Sequence, residues 1–245
     1  MNLKSHQTTD PRRISGSAAA LAIGTAIAAA LLLVALHLLS PEYSPAWRMV
    51  SEYANGHYAW VLSLMFAAYG CSTLALAFAI RSQMDTRAKR IGLGALVISG
   101  VGQAAAAVFD LNQMLLHELA GALGIVAFCI AAVIVSRGLA RTPGWSTAGK
   151  QLVWAANLTW ITVVLWMISF VIMVASFIYA LGGLPSAPPS QVPPGVIAVV
   201  GWTNRTFLAV AWGWVILMAW HAIRVRTLAT SASFSRAEIP HALEG

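Results

Sequence analysis

The sequence predicts an all-α fold: a polytopic transmembrane bundle of six helices with both termini in the cytoplasm. Two observations predict it, namely long apolar stretches with very few charges and a concentration of Lys and Arg in alternate connections. Hydrophobic residues make up 59% of the 245 residues and charged residues only 9%, whereas soluble domains carry about a quarter charged residues. The composition therefore excludes an ordinary soluble domain.

The apolar stretches define the predicted helices. They lie at about 17–39, 57–80, 91–109, 116–136, 151–181 and 198–223. An α-helix needs about 20 residues to cross a hydrocarbon core of about 30 Å, and each stretch approaches or exceeds that length. Backbone amides in hydrocarbon must be paired within their own segment, so helices are expected. We predict one transmembrane domain, 17–225, between an N-terminal tail, 1–16, and a C-terminal tail, 226–245.

The basic residues predict the orientation. All Lys and Arg residues except Arg48 and Arg205 lie before the first stretch, after the sixth, or in the connections after the second and fourth stretches. Short cytoplasmic loops retain Lys and Arg, so the connections 40–56, 110–115 and 182–197 should face the extracytoplasmic side. A cleaved signal peptide is the alternative for the first stretch, which is too long for an h-region. We expect a multi-pass protein of the bacterial inner or plasma membrane.

The net charge of +7 does not predict nucleic-acid binding, because that would require basic residues gathered on one docking face. Membrane lipids are the expected partners, and a membrane-protein partner or a second copy of the chain remains open. The two cysteines, Cys71 and Cys129, lie within predicted helices and form no disulfide framework. No motif for haem or another cofactor is present, so none is expected.

Small residues predict close packing between the third and fourth helices. Such residues let transmembrane helices approach each other closely, and here they predict an antiparallel hairpin. They are Gly92, Gly94, Gly100 and Gly102 in the third stretch and Ala120, Gly121 and Gly124 in the fourth.

Ionisable residues cluster on the predicted extracytoplasmic side, where their cost at the edge of hydrocarbon suggests a function. We predict that Glu52, Asp110, His117 and Arg205 bind a ligand. If the protein catalyses a reaction, the candidate catalytic residues are Ser51, Glu52, Asp110 and His117. The ionisable residues on that side include Glu42, Arg48, Glu52, His57, Asp110, His117, Glu118 and Arg205.

Each of these residues also has a structural interpretation. If residues 110–117 were helical, Asp110 and His117 would lie two turns apart on one face and could line one cleft. Alternatively, Asp110 and Asn112 form an Asx turn or cap the fourth helix. Glu52 is as well explained by pairing with Arg48 or Arg205 as by catalysis.

Two motifs resemble signatures of the bacterial and archaeal DUF998 family. Residues 40–45 and 50–56, with the aromatic Trp60, resemble the segment after the first helix in that family. Phe109-Asp110 and His117 resemble its second signature, between helices three and four. The resemblance would cover about residues 17–225 and implies a six-span protein without an established activity.

A smaller resemblance concerns the entrance to the second helix. Residues 50–52 are similar to the extracytoplasmic Ile-Ser-(Asp/Glu) element of the Frag1, DRAM and Sfk1 group. That group is associated with lipid handling, so the resemblance implies a lipid-facing role.

Two functional hypotheses follow, and the sequence leaves open whether the protein is an enzyme. The first is a noncatalytic membrane protein that binds lipid or a membrane partner through a polar cleft on the extracytoplasmic side. The second is a metal-assisted hydrolase or transferase acting on lipid headgroups. Its candidate ligands are His37, His57, His117 and Asp110, which with Ser51 resemble in type the zinc sites of the ceramidase and adiponectin-receptor superfamily. The usual zinc-ligand spacings are absent, so no metal site is assigned.

Overall fold

The computed structural model describes residues 10, 13–185, 189 and 191–237, and confirms the all-α class. The remaining parts of both predicted tails, 1–9, 11–12 and 238–245, lie outside the described residues. Every regular element in the described part of the chain is helical. The α-helices are α1 (Gly16–Leu39), α2 (Ala59–Ile80), α3 (Arg87–Ala105), α4 (Met114–Leu139), α5 (Gly149–Leu181) and α6 (Val200–Ala237).

Five of these helices, α1, α2, α4, α5 and α6, are long and apolar enough to cross a membrane. The protein is therefore an integral membrane protein with several spans. Helix α3, with 19 residues, is long enough but does not meet the same criterion, because Arg87, Lys89 and Arg90 in its first turn make it less apolar. It also ends at Ala105, before the predicted limit at residue 109. The count of six spans stays a prediction.

The helices form a closed ring in chain order, since each packs on the next and α1 also packs on α6. Helices α2 and α6 meet across the middle of the ring. There Tyr69 of α2 contacts Trp212 of α6 edge to face, with ring centroids 5.7 Å apart. Trp214 extends from α6 to α4, where its indole N–H donates to Ser136 Oγ at 3.0 Å.

Helices α3 and α4 pack closely through glycines, as the small residues predict. A Cβ atom at Gly102 would lie only 2.6 Å from the backbone nitrogen of Gly124. Ser99 adds a hydrogen bond from its hydroxyl to the Gly124 carbonyl at 2.7 Å. Two of the predicted glycines do not take part, since a Cβ atom at Gly94 or Gly121 would meet no atom within 4 Å.

The connections 40–58 and 106–113 and the described residues of a third connection, 182–185, 189 and 191–199, lie at one end of the bundle, which we call the outer end after its predicted orientation. The first connection contains a 3₁₀ helix, Val50–Asn55, called here the outer 3₁₀ helix. It packs against a second one, Leu111–Gln113. Helix α6 joins the same assembly, because the Gly201 backbone N–H donates to the Ala46 carbonyl at 3.0 Å.

The opposite, inner end carries the basic connections. Lys89 is buried there, and its ammonium group lies 2.8 Å from Asp85 Oδ1. It also donates to Thr142 Oγ1 at 2.7 Å. This cluster ties the start of α3 to the connection after α4.

Candidate functional site

A cavity of about 490 Å³ opens near the outer end of the bundle. The outer 3₁₀ helix and helices α2 to α6 all contribute to its wall. Small-molecule sites in proteins usually measure about 300–1,000 Å³, so one ligand of that size fits. Most of the wall is apolar, with Phe66, Ile125, Trp166, Met167, Phe207 and Leu208 among its residues.

His117 and Glu118, at the start of α4, contribute the polar part of the wall together with Ser51 and Asn204. His117 Nδ1 lies 2.8 Å from the Phe109 carbonyl, which can only accept, so Nδ1 carries the hydrogen. In the neutral ring Nε2 is then an acceptor, and it has no hydrogen-bond partner within the described chain.

Asn204 is only 7% exposed and lies in the first turns of α6. Its Oδ1 accepts from the Val50 backbone N–H at 3.0 Å, which fixes the start of the outer 3₁₀ helix. No hydrogen bond from its Nδ2 is found in the described residues, and the residue lines the cavity. Asn204 therefore offers its amide NH₂ group to a ligand as a donor.

The deeper wall includes Gln103, whose amide is already engaged. Thr73 donates to its Oε1 at 2.7 Å, and its Nε2 donates to Ser99 Oγ at 2.8 Å. This network links α2 to α3 inside the bundle. Tyr69, 3% exposed, also lines the cavity, and its hydroxyl has no partner in the described part of the protein.

Arg205 does not line the cavity, although it is only 6% exposed. It holds the 40–58 connection in place, with Nη1 donating to the Arg48 carbonyl at 2.7 Å and to the Pro45 carbonyl at 3.3 Å. Its Nε donates to His37 Nε2 at 2.7 Å. Because arginine can only donate, this contact requires an unprotonated Nε2 on His37.

Tyr53 continues this network. Arg205 Nη2 donates to the Tyr53 hydroxyl at 3.3 Å, and that hydroxyl donates to the Tyr43 carbonyl at 3.4 Å. Burial raises the pKa of the Tyr53 hydroxyl above its ordinary value, while Arg205 acts in the opposite direction. The phenol stays neutral at physiological pH and serves as a link in the connection.

Glu52 is also engaged within the outer 3₁₀ helix. Its Oε1 accepts from the Met49 backbone N–H at 2.8 Å, and its Oε2 pairs with Arg48 Nη1 at 2.6 Å. Arg48 in turn donates to the Pro189 carbonyl at 2.8 Å. Of the two alternatives for Glu52, the structure shows the ion pair with Arg48.

Asp110 forms the predicted Asx turn. Its Oδ1 accepts from the Asn112 backbone N–H at 2.9 Å, and its Oδ2 accepts from the Asn112 side chain at 3.0 Å. Since α4 begins at Met114 after a 3₁₀ turn, residues 110–117 are not one α-helix. The condition under which Asp110 and His117 would share a helical face is therefore not met.

The four predicted ligand-binding residues do not all line this cavity. His117 lines it, whereas Glu52, Asp110 and Arg205 do not belong to its wall. Of the predicted catalytic residues, Ser51 and His117 both line it. Asn204, Phe66 and Tyr69 were missed, although an Asn-Arg pair in the first turns of an apolar helix is a signal for Asn204.

The candidate metal ligands also lie apart. His37 contacts Arg205, and exposed His57 packs against Tyr58 with ring centroids 5.0 Å apart. Asp110 binds Asn112, and His117 binds the Phe109 carbonyl. Among the residues that the structure describes, no three His, Cys, Asp or Glu side chains are grouped so as to hold a metal ion.

Comparison with known proteins identifies one family. The family model described as "Protein of unknown function (DUF998)" matches residues 22–221, from within α1 to within α6. No curated protein and no solved structure matches the chain.

Proposed function

The chain belongs to the DUF998 family, and we propose that this integral membrane protein binds a lipid or lipid-like amphiphile in the cavity at its outer end, without catalysing a reaction. In this proposal the protein resides in the cell membrane with both termini in the cytoplasm, so the cavity opens towards the extracytoplasmic leaflet. The single observation that carries the proposal is a cavity of about 490 Å³ whose wall is mostly apolar and aromatic and includes the polar side chains of Ser51, His117, Glu118 and Asn204.

The distribution of side chains supports an amphiphile. Trp166 stacks on Phe207 with ring centroids 6.0 Å apart, and both belong to the cavity wall. An alkyl chain buried against such rings gains about 25 cal/mol for each Å² removed from water. The polar end of the ligand would meet His117, Glu118 and Asn204, which have hydrogen-bonding atoms to offer.

The rigidity of the surrounding structure supports a ligand site as well. Gln103 and Ser99 fasten α2, α3 and α4 by hydrogen bonds, and Arg205 fastens the connection above. Binding to a largely preformed site loses less conformational entropy than binding to a mobile one.

The metal-assisted hydrolase receives no comparable support from the described residues. Ser51 and His117 share the cavity wall, but His37 and Asp110 are engaged elsewhere.

Photolabelling tests the proposal. The full-length protein, purified in mild detergent, is irradiated with a C16 lipid that carries a diazirine in its alkyl chain. We expect saturable labelling of cavity residues such as Ile125 and Leu208, with competition by the unlabelled lipid. Labelling that does not saturate and that falls only on exposed residues such as Leu31 and Val171 would contradict it.

A matched pair of substitutions controls for general perturbation. Gly121 and Gly94 are helical glycines at which a Cβ atom would meet nothing within 4 Å, but only Gly121 lines the cavity. Gly121→Phe should fill the space and abolish saturable labelling, whereas Gly94→Phe should leave it unchanged. Equal effects of the two substitutions would count against the cavity as the binding site.

A further inference from the structure

The cavity contains one acidic side chain and no Lys or Arg among its described lining residues. Glu118 supplies the carboxylate, is exposed, and forms no ion pair within the described chain. The two cations at this end are used elsewhere. Arg48 pairs with Glu52, and Arg205 is occupied by His37, Tyr53 and backbone carbonyls.

The hydrogen-bonding atoms near Glu118 include an acceptor. His117 Nε2 has a free lone pair in the neutral ring, because Nδ1 donates to the Phe109 carbonyl. His117 also packs edge to face on Phe66, with centroids 6.4 Å apart. The His117 and Phe66 rings are therefore in contact within the cavity wall, and Glu118 contributes its acidic side chain to the same wall from the next position of α4.

Resting on the proposed function, we propose that the ligand is an alkyl amphiphile whose polar end carries a primary ammonium group. An ammonium has three N–H donors and no acceptor, so it matches the Glu118 carboxylate and His117 Nε2. Aromatic faces attract such a cation as well. A long-chain free amine and the headgroup of phosphatidylethanolamine both present this chemistry.

Other polar ends fit less well. A fatty-acid carboxylate would lie beside Glu118 without a cation in the cavity wall to compensate, and like charges brought together oppose binding. A long-chain alcohol could use the acceptors but would gain nothing from the charge of Glu118. Asn204 Nδ2 can donate to an ester or hydroxyl oxygen of a lipid headgroup. This single neutral group does not offset the negative charge of Glu118, so an amine is still preferred.

Competition against the photolabel tests this inference on the full-length protein. The competitors are hexadecylamine, palmitate and hexadecanol, which share one chain length and differ in the polar end. We expect hexadecylamine to compete at a concentration about tenfold lower than palmitate. The substitution Glu118→Gln should weaken competition by hexadecylamine about fivefold, as for a partly exposed ion pair. Glu42→Gln changes an exposed glutamate outside the cavity. It should leave the relative potency of the three competitors unchanged.

The outcomes separate the two proposals. Saturable labelling with palmitate competing as well as hexadecylamine, or with no effect of Glu118→Gln, would overturn the ammonium preference and keep the proposed function. The absence of saturable labelling would overturn both. A further arm with lysophosphatidylethanolamine distinguishes the sources: equal competition points to a lipid headgroup, and competition by hexadecylamine alone points to a free amine.

Discussion

Arg205 and His37 join the first turns of α6 to the last turn of α1 through a hydrogen bond of 2.7 Å between Nε and Nε2. The same guanidinium binds the carbonyls of Pro45, Arg48 and Gly201. Arg205 donates to three backbone carbonyls and one imidazole. It therefore fixes the 40–58 connection at the outer end of the bundle. In the sequence, a cation at the membrane edge suggests a ligand site. In the structure, Arg205 uses its donors to hold the outer connection in place.

Removing this side chain should destabilise the protein. Arg205→Met leaves buried carbonyls without a donor, at a cost of about 1–3 kcal/mol for each such group. We expect the variant to unfold at clearly lower temperature, measured by intrinsic fluorescence of the detergent-purified protein. Arg87→Met, at an exposed position of α3, is the control and should behave as the parent. Equal unfolding of the two variants would show that the Arg205 contacts contribute nothing.

The Asp85–Lys89 pair predicts a dependence of stability on pH. Burial acts to raise the pKa of Asp85, but the hydrogen bond and charge of Lys89 outweigh it and hold that pKa below its ordinary value. The folded-state pKa of Asp85 lies below its unfolded-state value of about 3.9. The ion pair therefore contributes its full stabilisation of the fold at pH values above the unfolded-state pKa. The stabilisation is lost as the pH falls through the folded-state pKa.

We therefore expect the unfolding temperature of the parent to fall as the medium is acidified below about pH 4. Asp85→Asn should be less stable at neutral pH and should show a smaller fall, while Glu42→Gln, at an exposed position, should follow the parent. If the unfolding temperatures of Asp85→Asn and the parent fell in parallel as the pH was lowered, the Asp85–Lys89 pair would have no part in the acid sensitivity.

Close packing of α3 on α4 predicts opposite tolerance at two glycines. A Cβ atom at Gly102 would lie 2.6 Å from the Gly124 nitrogen and 2.8 Å from the Ala120 carbonyl oxygen. Gly102→Leu should therefore separate the helices and lower the yield of folded protein in size-exclusion chromatography. Gly94→Leu should be neutral or slightly stabilising, because glycine costs about 1 kcal/mol in a helix interior. Normal yield of Gly102→Leu would rule out this packing.

The orientation predicted from the basic residues gives a labelling experiment. In a background with Cys71→Ala and Cys129→Ala, a membrane-impermeant maleimide should label Asn55→Cys in intact cells and should not label Arg141→Cys. Both positions are exposed, and they lie at opposite ends of the bundle. The reverse labelling pattern would place the cavity on the cytoplasmic side.

The helices could be predicted from sequence because hydrocarbon imposes a single requirement, the pairing of backbone groups within each segment. The first stretch, 17–39, corresponds closely to α1, Gly16–Leu39. Helix α3 was predicted less well, since it begins with a charged turn at Arg87 and ends at Ala105, where turns replace the predicted helix up to residue 109. Apolar content alone does not report that packing.

The site was less predictable from the sequence. A charged residue in an apolar stretch shows where burial costs free energy, but the sequence does not show which hydrogen-bond or ion-pair partner compensates that charge. Arg205 and Glu52 carry the stronger sequence signals, yet both are satisfied within the outer connections. The cavity depends instead on Phe66, Trp166 and Gly121, which are ordinary residues in apolar helices. Their convergence follows from the relative positions of five helices.

The most direct test is a cryo-electron microscopy structure of the full-length protein in lipid nanodiscs. We predict an elongated density that is not protein between Phe66, Trp166 and Phe207, with one end beside Glu118, and its loss in Gly121→Phe but not in Gly94→Phe. A cavity closed by its own side chains, or one that holds only water while lipid density is confined to the outer faces of the helices, would contradict the proposed function.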